Sequence, residues 1–289
     1  MKRFYKVIAA GFAALTLFTS CDRAANRTKM DVGLQPAVVE QSTPDAESRA
    51  ATMSKSTGVD ALTLAMPALR HDIPEQILRR KAYVASFNSQ TLMPNWVAWQ
   101  LTAEHADGHV KRNSVSFRAD EDVDEPYRVT THDYSRSGFD RGHMCPAGDN
   151  KWDEEVMAQS FLMTNVCPQL HNLNAGDWNE MENRCRVWAR QYGEVYVVCG
   201  PIIFKNSHKR IGQQHKVTVP DAFFKVVLCL TGTPKGIGFI YRNRKGNRPM
   251  GDYVNSIAEV ERVTGYKFFP LLPAKTRKAV ENKADLSEW

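Results

Sequence analysis

The sequence predicts an α+β fold, a sheet core with helices packed on it. Three observations carry that reading. Short apolar runs at 96–101, 194–199, 222–230 and 236–241 are bounded by turn residues, and several are apolar enough to be strands buried on both faces. Two stretches, 175–192 and 252–263, repeat their apolar residues at helical spacing. No internal repeat is visible, and 289 residues with 43% hydrophobic content describe an ordinary globule with enough apolar mass for a sizeable core.

From the N-terminus, Met1-Lys2-Arg3 precede an apolar stretch from Val7 to Phe18, and Thr19-Ser20-Cys21 follow. The stretch is too short and wrongly flanked for a stable membrane span, so it reads as an export signal over 1–21. Phe18-Thr19-Ser20-Cys21 resembles the lipobox of bacterial lipoproteins, with Phe18 in place of the usual Leu. The expectation is an exported protein, lipidated at Cys21 and membrane-anchored, periplasmic or at the cell surface; a plain secretory signal is the alternative. Residues 22–70 read as a flexible tether. As far as Met66 they are rich in Ala, Ser, Thr, Asp and Gln and contain no Trp, Phe or Tyr.

A single mixed domain is expected over 75–273, with 274–289 as a charged, peripheral tail. In its first long helix Trp178, Met181, Cys185, Trp188 and Tyr192 fall on one face, ready to dock on the sheet. In the second, Val254, Ile257, Val260 and Val263 form the stripe. Besides Cys21 there are five cysteines, Cys145, Cys167, Cys185, Cys199 and Cys229; without a CxxC pair a structural zinc site is not expected. Cys145 and Cys167 read equally well as a bridge or as free buried thiols. The net charge of +6 falls to about +3 once Lys2, Arg3 and Lys6 are removed, so charge alone selects no partner.

Residues 139–188 are dense in groups that handle phosphate and metal. His143 titrates near neutrality when unperturbed, which suits a general base. Asn174 offers a hard carbonyl oxygen of the kind magnesium accepts, though at a helix start it is equally an N-cap. Arg141 and Arg112 have the planar fork that matches phosphate oxygens. Glu182 and Arg186, four residues apart, are in the plainest reading a surface ion pair. Gly142 would admit a close backbone approach or simply a turn. His171 reads as a loop residue, and His105, His109 and His132 as solvated. The basic run 242–248 is a solvated loop or a grip on a nucleic-acid backbone.

Three motifs in order, Ser137-Gly138-Phe139-Asp140-Arg141-Gly142-His143, Thr164-Asn165-Val166-Cys167-Pro168-Gln169 and Leu173-Asn174-Ala175-Gly176-Asp177-Trp178 with Glu182, resemble those of the DNA/RNA non-specific endonucleases. That resemblance covers about residues 80–272 and implies a ββα-metal (His-Me) finger set on a central, mainly antiparallel sheet flanked by helices. It implies magnesium-dependent hydrolysis of DNA and RNA to 5′-phosphate ends, with Mn2+ as a substitute metal and a homodimer as the assembly. His143 then matches the general base, Asn174 the direct metal ligand, and Glu182 the carboxylate reaching the metal through water. Arg141 matches the arginine beside the base, and Arg112, with Arg118 as rival, the upstream arginine. Arg186 and Asn165 match substrate-side groups, Asn165 close enough to order the metal site; Asp140 reads as structural. Ala175 departs from the Gln that often follows the asparagine. Two other functions stay open: a surface lipoprotein that binds nucleic acid without cutting it, and a phosphodiesterase of narrower range.

Overall fold

A computed structural model describes residues 59–204 and 208–289. The export segment, Cys21 and most of the expected tether lie outside the described residues. All four apolar runs become strands of one seven-stranded antiparallel sheet. In order across it stand β1 (Gln76–Arg79), β2 (Tyr83–Asn88), β3 (Met93–Thr102), β6 (Glu194–Ile202), β9 (Ala222–Cys229), β10 (Lys235–Arg242) and β11 (Val254–Asn255). A short pair, β7 (Arg210–Ile211) with β8 (Val217–Thr218), stands apart.

Side chains alternate across a strand, so the sheet has two distinct faces. On one face Val97, Trp99, Leu101, Val197, Phe223, Val227 and Phe239 meet Met144, Cys167, Trp178, Met181 and Trp188. On the other Trp96, Ala98, Val198, Phe224, Val226 and Leu228 meet Ile257, Val260, Phe268 and Val280. Burial on both sides is why β9 carries no exposed position.

The helices that cover these faces begin with α1 (Ala61–Ala65), capped by the Asp60 side chain, which accepts from the Thr63 N–H. Ala65 is wholly buried, so the last residues of the expected tether are packed structure. Next come α2 (Ala103–Asp107) and α3 (Glu154–Ser160). The long helix α4 (Trp178–Tyr192) buries Trp178, Met181, Cys185 and Trp188 as expected and stops at Gly193, whose φ of 84° a side chain would strain. Its start differs from expectation by three residues. Leu173–Asp177 forms a wider turn broken at Gly176 (φ −103°, ψ −113°), so Asn174 is no N-cap of the helix.

The second predicted helix is also shorter. Helix α5 (Ile257–Thr264) opens with a reciprocal capping box between Ser256 and Glu259 and closes on Gly265 at φ 76°. Val254 belongs instead to β11, where it pairs with Phe239. The expected tail folds back as α6 (Ala274–Glu281): Val280 is buried, and Trp289 packs 4.7 Å from the Trp188 ring. All five described cysteines are free and buried, which decides against a Cys145–Cys167 bridge.

Candidate active site

The finger is built from β4 (Asp140–His143) paired antiparallel with β5 (Val166–Gln169), followed by the kinked turn and α4. Register sets Gly142 opposite Cys167 and His143 opposite Val166. Gly142 serves the packing of the finger itself, because a Cβ there would lie 2.2 Å from Gln169 Oε1.

His143 ends β4 and lies buried between Phe117 and Phe161, with ring centroids 4.9 and 5.0 Å away. Each phenyl also carries an arginine: Arg141 over Phe117 at 4.9 Å and Arg112 over Phe161 at 5.6 Å. His143 Nε2 is buried with no hydrogen-bond partner among the described residues. Burial, then the Arg112 charge, pull the imidazole pKa down to about 3. The ring is therefore neutral, the form that accepts a proton.

Asn174 is aimed by Asp140. Its Nδ2 donates to Asp140 Oδ2 at 2.9 Å, which leaves Oδ1 as the outward acceptor. His171 Nδ1 lies 2.9 Å from the same carboxylate oxygen, and its exposed ring helps to hold Asp140, so it is a second orienting contact and no metal ligand. A cavity of about 820 Å³ is lined by His143, Asn174, Glu182, Arg112, Arg141 and Arg186, among others. Burial pushes the Glu182 carboxyl up to about 7, with Lys225 opposing that rise. Among the described residues no cluster of three or more His, Cys, Asp or Glu side chains could hold a metal. One neutral carbonyl oxygen with one carboxylate close by is instead the donor set of a hard divalent cation that keeps most of its water.

Comparison with known proteins identifies the family. The family model described as DNA/RNA non-specific endonuclease matches residues 64–275. The chain belongs to the DNA/RNA non-specific endonuclease family. Mitochondrial endonuclease G of Homo sapiens is 32% identical over 213 residues, which cover 69% of this chain and 71% of that protein. Mitochondrial nuclease EXOG of Danio rerio is 33% identical over 221 residues, 70% of this chain but only 64% of its own length. Among solved structures, an EndoG/EndoGI complex contains a chain that superposes with TM-score 0.69 at 26% identity, covering 82% of this chain and 96% of that one.

In this endonuclease-family site three predicted residues do other work than expected. Asn165 is fully buried and its amide is spent: Oδ1 accepts the Cys145 N–H at 2.9 Å, and Nδ2 donates to the carbonyls of Cys145 and Ser160, each at 2.8 Å. It orders the strand that ends in His143 and has no group left for substrate. Arg186 lines the cavity, but its guanidinium donates to Asp149 Oδ1 and Asn183 Oδ1, both at 2.7 Å. Its ion-pair partner is thus the buried Asp149, and Glu182 is left for other work. Arg118 donates to the Ala158 carbonyl at 2.9 Å and is absent from the cavity wall, so of the two upstream rivals it is Arg112 that lines the cavity with His143 and Arg141.

Sequence reasoning missed two groups here. Asp149 is buried, accepts a hydrogen bond from Trp99 Nε1–H at 3.1 Å, and is pushed up in pKa by burial against the pull of Arg186. Lys225 is wholly buried in β9; its Nζ lies 4.3 Å from the Trp178 ring centre and 5.2 Å from that of Trp99, with no hydrogen-bond partner among the described residues. A lysine inside the run Ala222-Phe223-Phe224-Lys225-Val226-Val227-Leu228 was the available signal, because such a charge in a two-sided strand must be matched by acids nearby. His105 was read as solvated but is half-buried and stacks on Trp152 at 4.8 Å.

Proposed function

We propose that this protein hydrolyses phosphodiester bonds in DNA and RNA with little sequence preference, leaving 5′-phosphate ends. One observation carries the reading: the Asp140-oriented carbonyl oxygen of Asn174 and the neutral imidazole of His143 line one cavity beside two arginines. A divalent cation held at Asn174, magnesium by the hardness of the donors with manganese as a substitute, would supply Lewis-acid neutralisation of charge on the phosphate and the leaving oxygen.

The chain's own groups do the rest. Arg112 and Arg141 bind the anionic phosphate oxygens, each guanidinium already placed on an aromatic ring. The arriving phosphate offsets the Arg112 charge and so removes one of the two causes that hold the His143 pKa down. His143 then takes a proton from water as that water bonds to phosphorus; the bond to the 3′-oxygen breaks, and the alcohol is completed by a proton from solvent. Glu182 would hold water beside such a cation, and Asp149 with Arg186 braces the wall. The groups named here address phosphate and water, which carry no base information, and low sequence preference is proposed on that ground.

The cellular setting belongs to the same reading: export through 1–21, a lipid anchor at Cys21 that places the enzyme at a membrane, and a homodimeric assembly. The test is cleavage of plasmid DNA, total RNA and a small phosphodiester by the purified chain with magnesium and with EDTA. Metal-dependent loss of both polymers is expected. Binding without cleavage favours the nucleic-acid-binding lipoprotein, and cleavage of the small diester alone favours the narrower phosphodiesterase.

A further inference from the structure

The loop between β10 and β11 holds four basic side chains within seven residues, Arg242, Arg244, Lys245 and Arg248, all exposed and with no acid among them. Such a run is ordinarily solvated. Here the loop is fastened, by the Asn243 side chain and the Asn247 backbone, to both ends of the segment that carries Asn174. At the near end Asn243 Oδ1 accepts the Leu170 N–H at 2.9 Å, and Nδ2 donates to the carbonyls of Pro168 and Pro220, each at 3.0 Å. At the far end the Asp177 carboxylate accepts the Asn247 N–H, 2.9 Å from each oxygen, together with the Tyr253 hydroxyl. Gly246 rests so close that a Cβ would fall 2.1 Å from Asp177 Oδ2.

The basic groups are unequally committed. Arg242 lies over the exposed Phe204 ring at 4.9 Å, and Arg248 pairs with Asp252 at 2.9 Å. Arg244 and Lys245 have no ion-pair partner among the described residues. A depression of about 460 Å³ runs along this loop between Leu173, Arg244, Lys245, Arg248 and Tyr253. Leu173 lines this depression while Asn174 and Ala175 line the catalytic cavity, so the finger's kinked turn contributes to both walls.

From the anchored loop, its unpaired charges and its place beside the cavity, we infer that residues 242–248 form a second nucleic-acid contact, in which Arg244 and Lys245 grip backbone phosphates beyond the one being cut. The inference rests on the proposed nuclease reading and deepens it. Because the loop is fixed before substrate arrives, binding does not bear the cost of ordering its backbone. Phosphates carry no base information, so the contact adds affinity for long chains and no sequence preference. A short substrate that fills only the cavity gains nothing from it.

The experiment compares the full chain with its Arg244→Ser/Lys245→Ser form. Binding of a labelled duplex of ~20 base pairs is followed by fluorescence anisotropy in EDTA, from ~50 to ~200 mM salt, where each phosphate contact contributes about 0.9 to the log–log slope. The slope is expected to become shallower by about 1 to 2, with at least a several-fold weaker Kd at the lowest salt. Cleavage of a small phosphodiester should be unchanged, and Arg244→Lys should keep the wild-type slope. Equal slopes and equal Kd in the two forms overturn the contact. So does a matching loss on the small diester, since it would place the loop's effect inside the cavity. A wild type that binds duplex with the expected slope yet cuts nothing contradicts the nuclease reading and leaves the loop contact standing.

Discussion

The two faces of the central sheet bury comparable arrays of strand residues, yet their chemistry differs. Toward α5 and α6 the packing is dominated by apolar side chains, Trp96, Val198, Phe224 and Val226 against Ile257, Val260 and Phe268, and the buried Glu261 carboxylate there is paired with Lys267. Toward the finger the same strands also bury Lys225, and above it lie Asp149, Glu182, Arg186 and His143. Burying charge is costly unless it is paired, so the finger face gives up stability that an all-apolar face would keep. The difference teaches where function sits: one side of the sheet holds the molecule together, and the other supports a reaction.

The largest expected effects separate the faces by what is lost. Phe268→Ala should destabilise the fold by about 3–5 kcal/mol while leaving kcat unchanged at a temperature where the variant is folded. Asp149→Asn should cost a similar ~3–5 kcal/mol by stranding Arg186, and in addition lower kcat, because Arg186 then shifts in the cavity wall. Denaturant unfolding and kinetics on the same samples check both. Intact activity in folded Asp149→Asn would erase the contrast.

A second, smaller effect concerns aim. Asp140→Ala frees the Asn174 amide to rotate, and the magnesium concentration giving half-maximal activity should rise by about 10–100-fold, the usual loss when a group behind a metal ligand is removed. Isothermal titration with magnesium alone reads the same change without turnover. An unaltered magnesium dependence would mean that Asp140 does not set the ligand.

A further effect is confined to the acid range. His143 has a folded-state pKa near 3 against an ordinary value of 6.5, so between those pH values the unfolded chain binds more protons and stability falls as pH drops. Replacing the ring by Phe, which cannot titrate, should flatten that decline from pH ~6.5 to ~4. Chemical denaturation at several pH values measures it, and equal slopes in wild type and His143→Phe would show that the histidine is not buried neutral.

Much of this was readable in the chain because the physics was local. Runs such as 222–230 read as strands, and the Trp178, Met181, Cys185 and Trp188 stripe reads as a face turned to a core, and both are found so. The motifs also led to Arg141, His143, Asn174 and Glu182 in one cavity. What stayed hidden was set by distant partners. The late start of α4 follows from the kink at Gly176, next to an Asn174 whose amide turns to Asp140, 34 residues earlier. Arg186 finds Asp149 in preference to its helical neighbour Glu182, and Val254 trades a helix for a pairing with Phe239. The charged tail looked peripheral until Val280 and Trp289 were seen against the core, a contact no local pattern announces.

The measurement that bears most directly on the central claim is the cleavage rate of duplex DNA by His143→Ala with magnesium present and its fold verified by circular dichroism. The account predicts a rate lower by about 10²–10⁴-fold with the folded state intact. A folded His143→Ala that cuts at nearly the wild-type rate would contradict it, because another group would then be taking the proton from water.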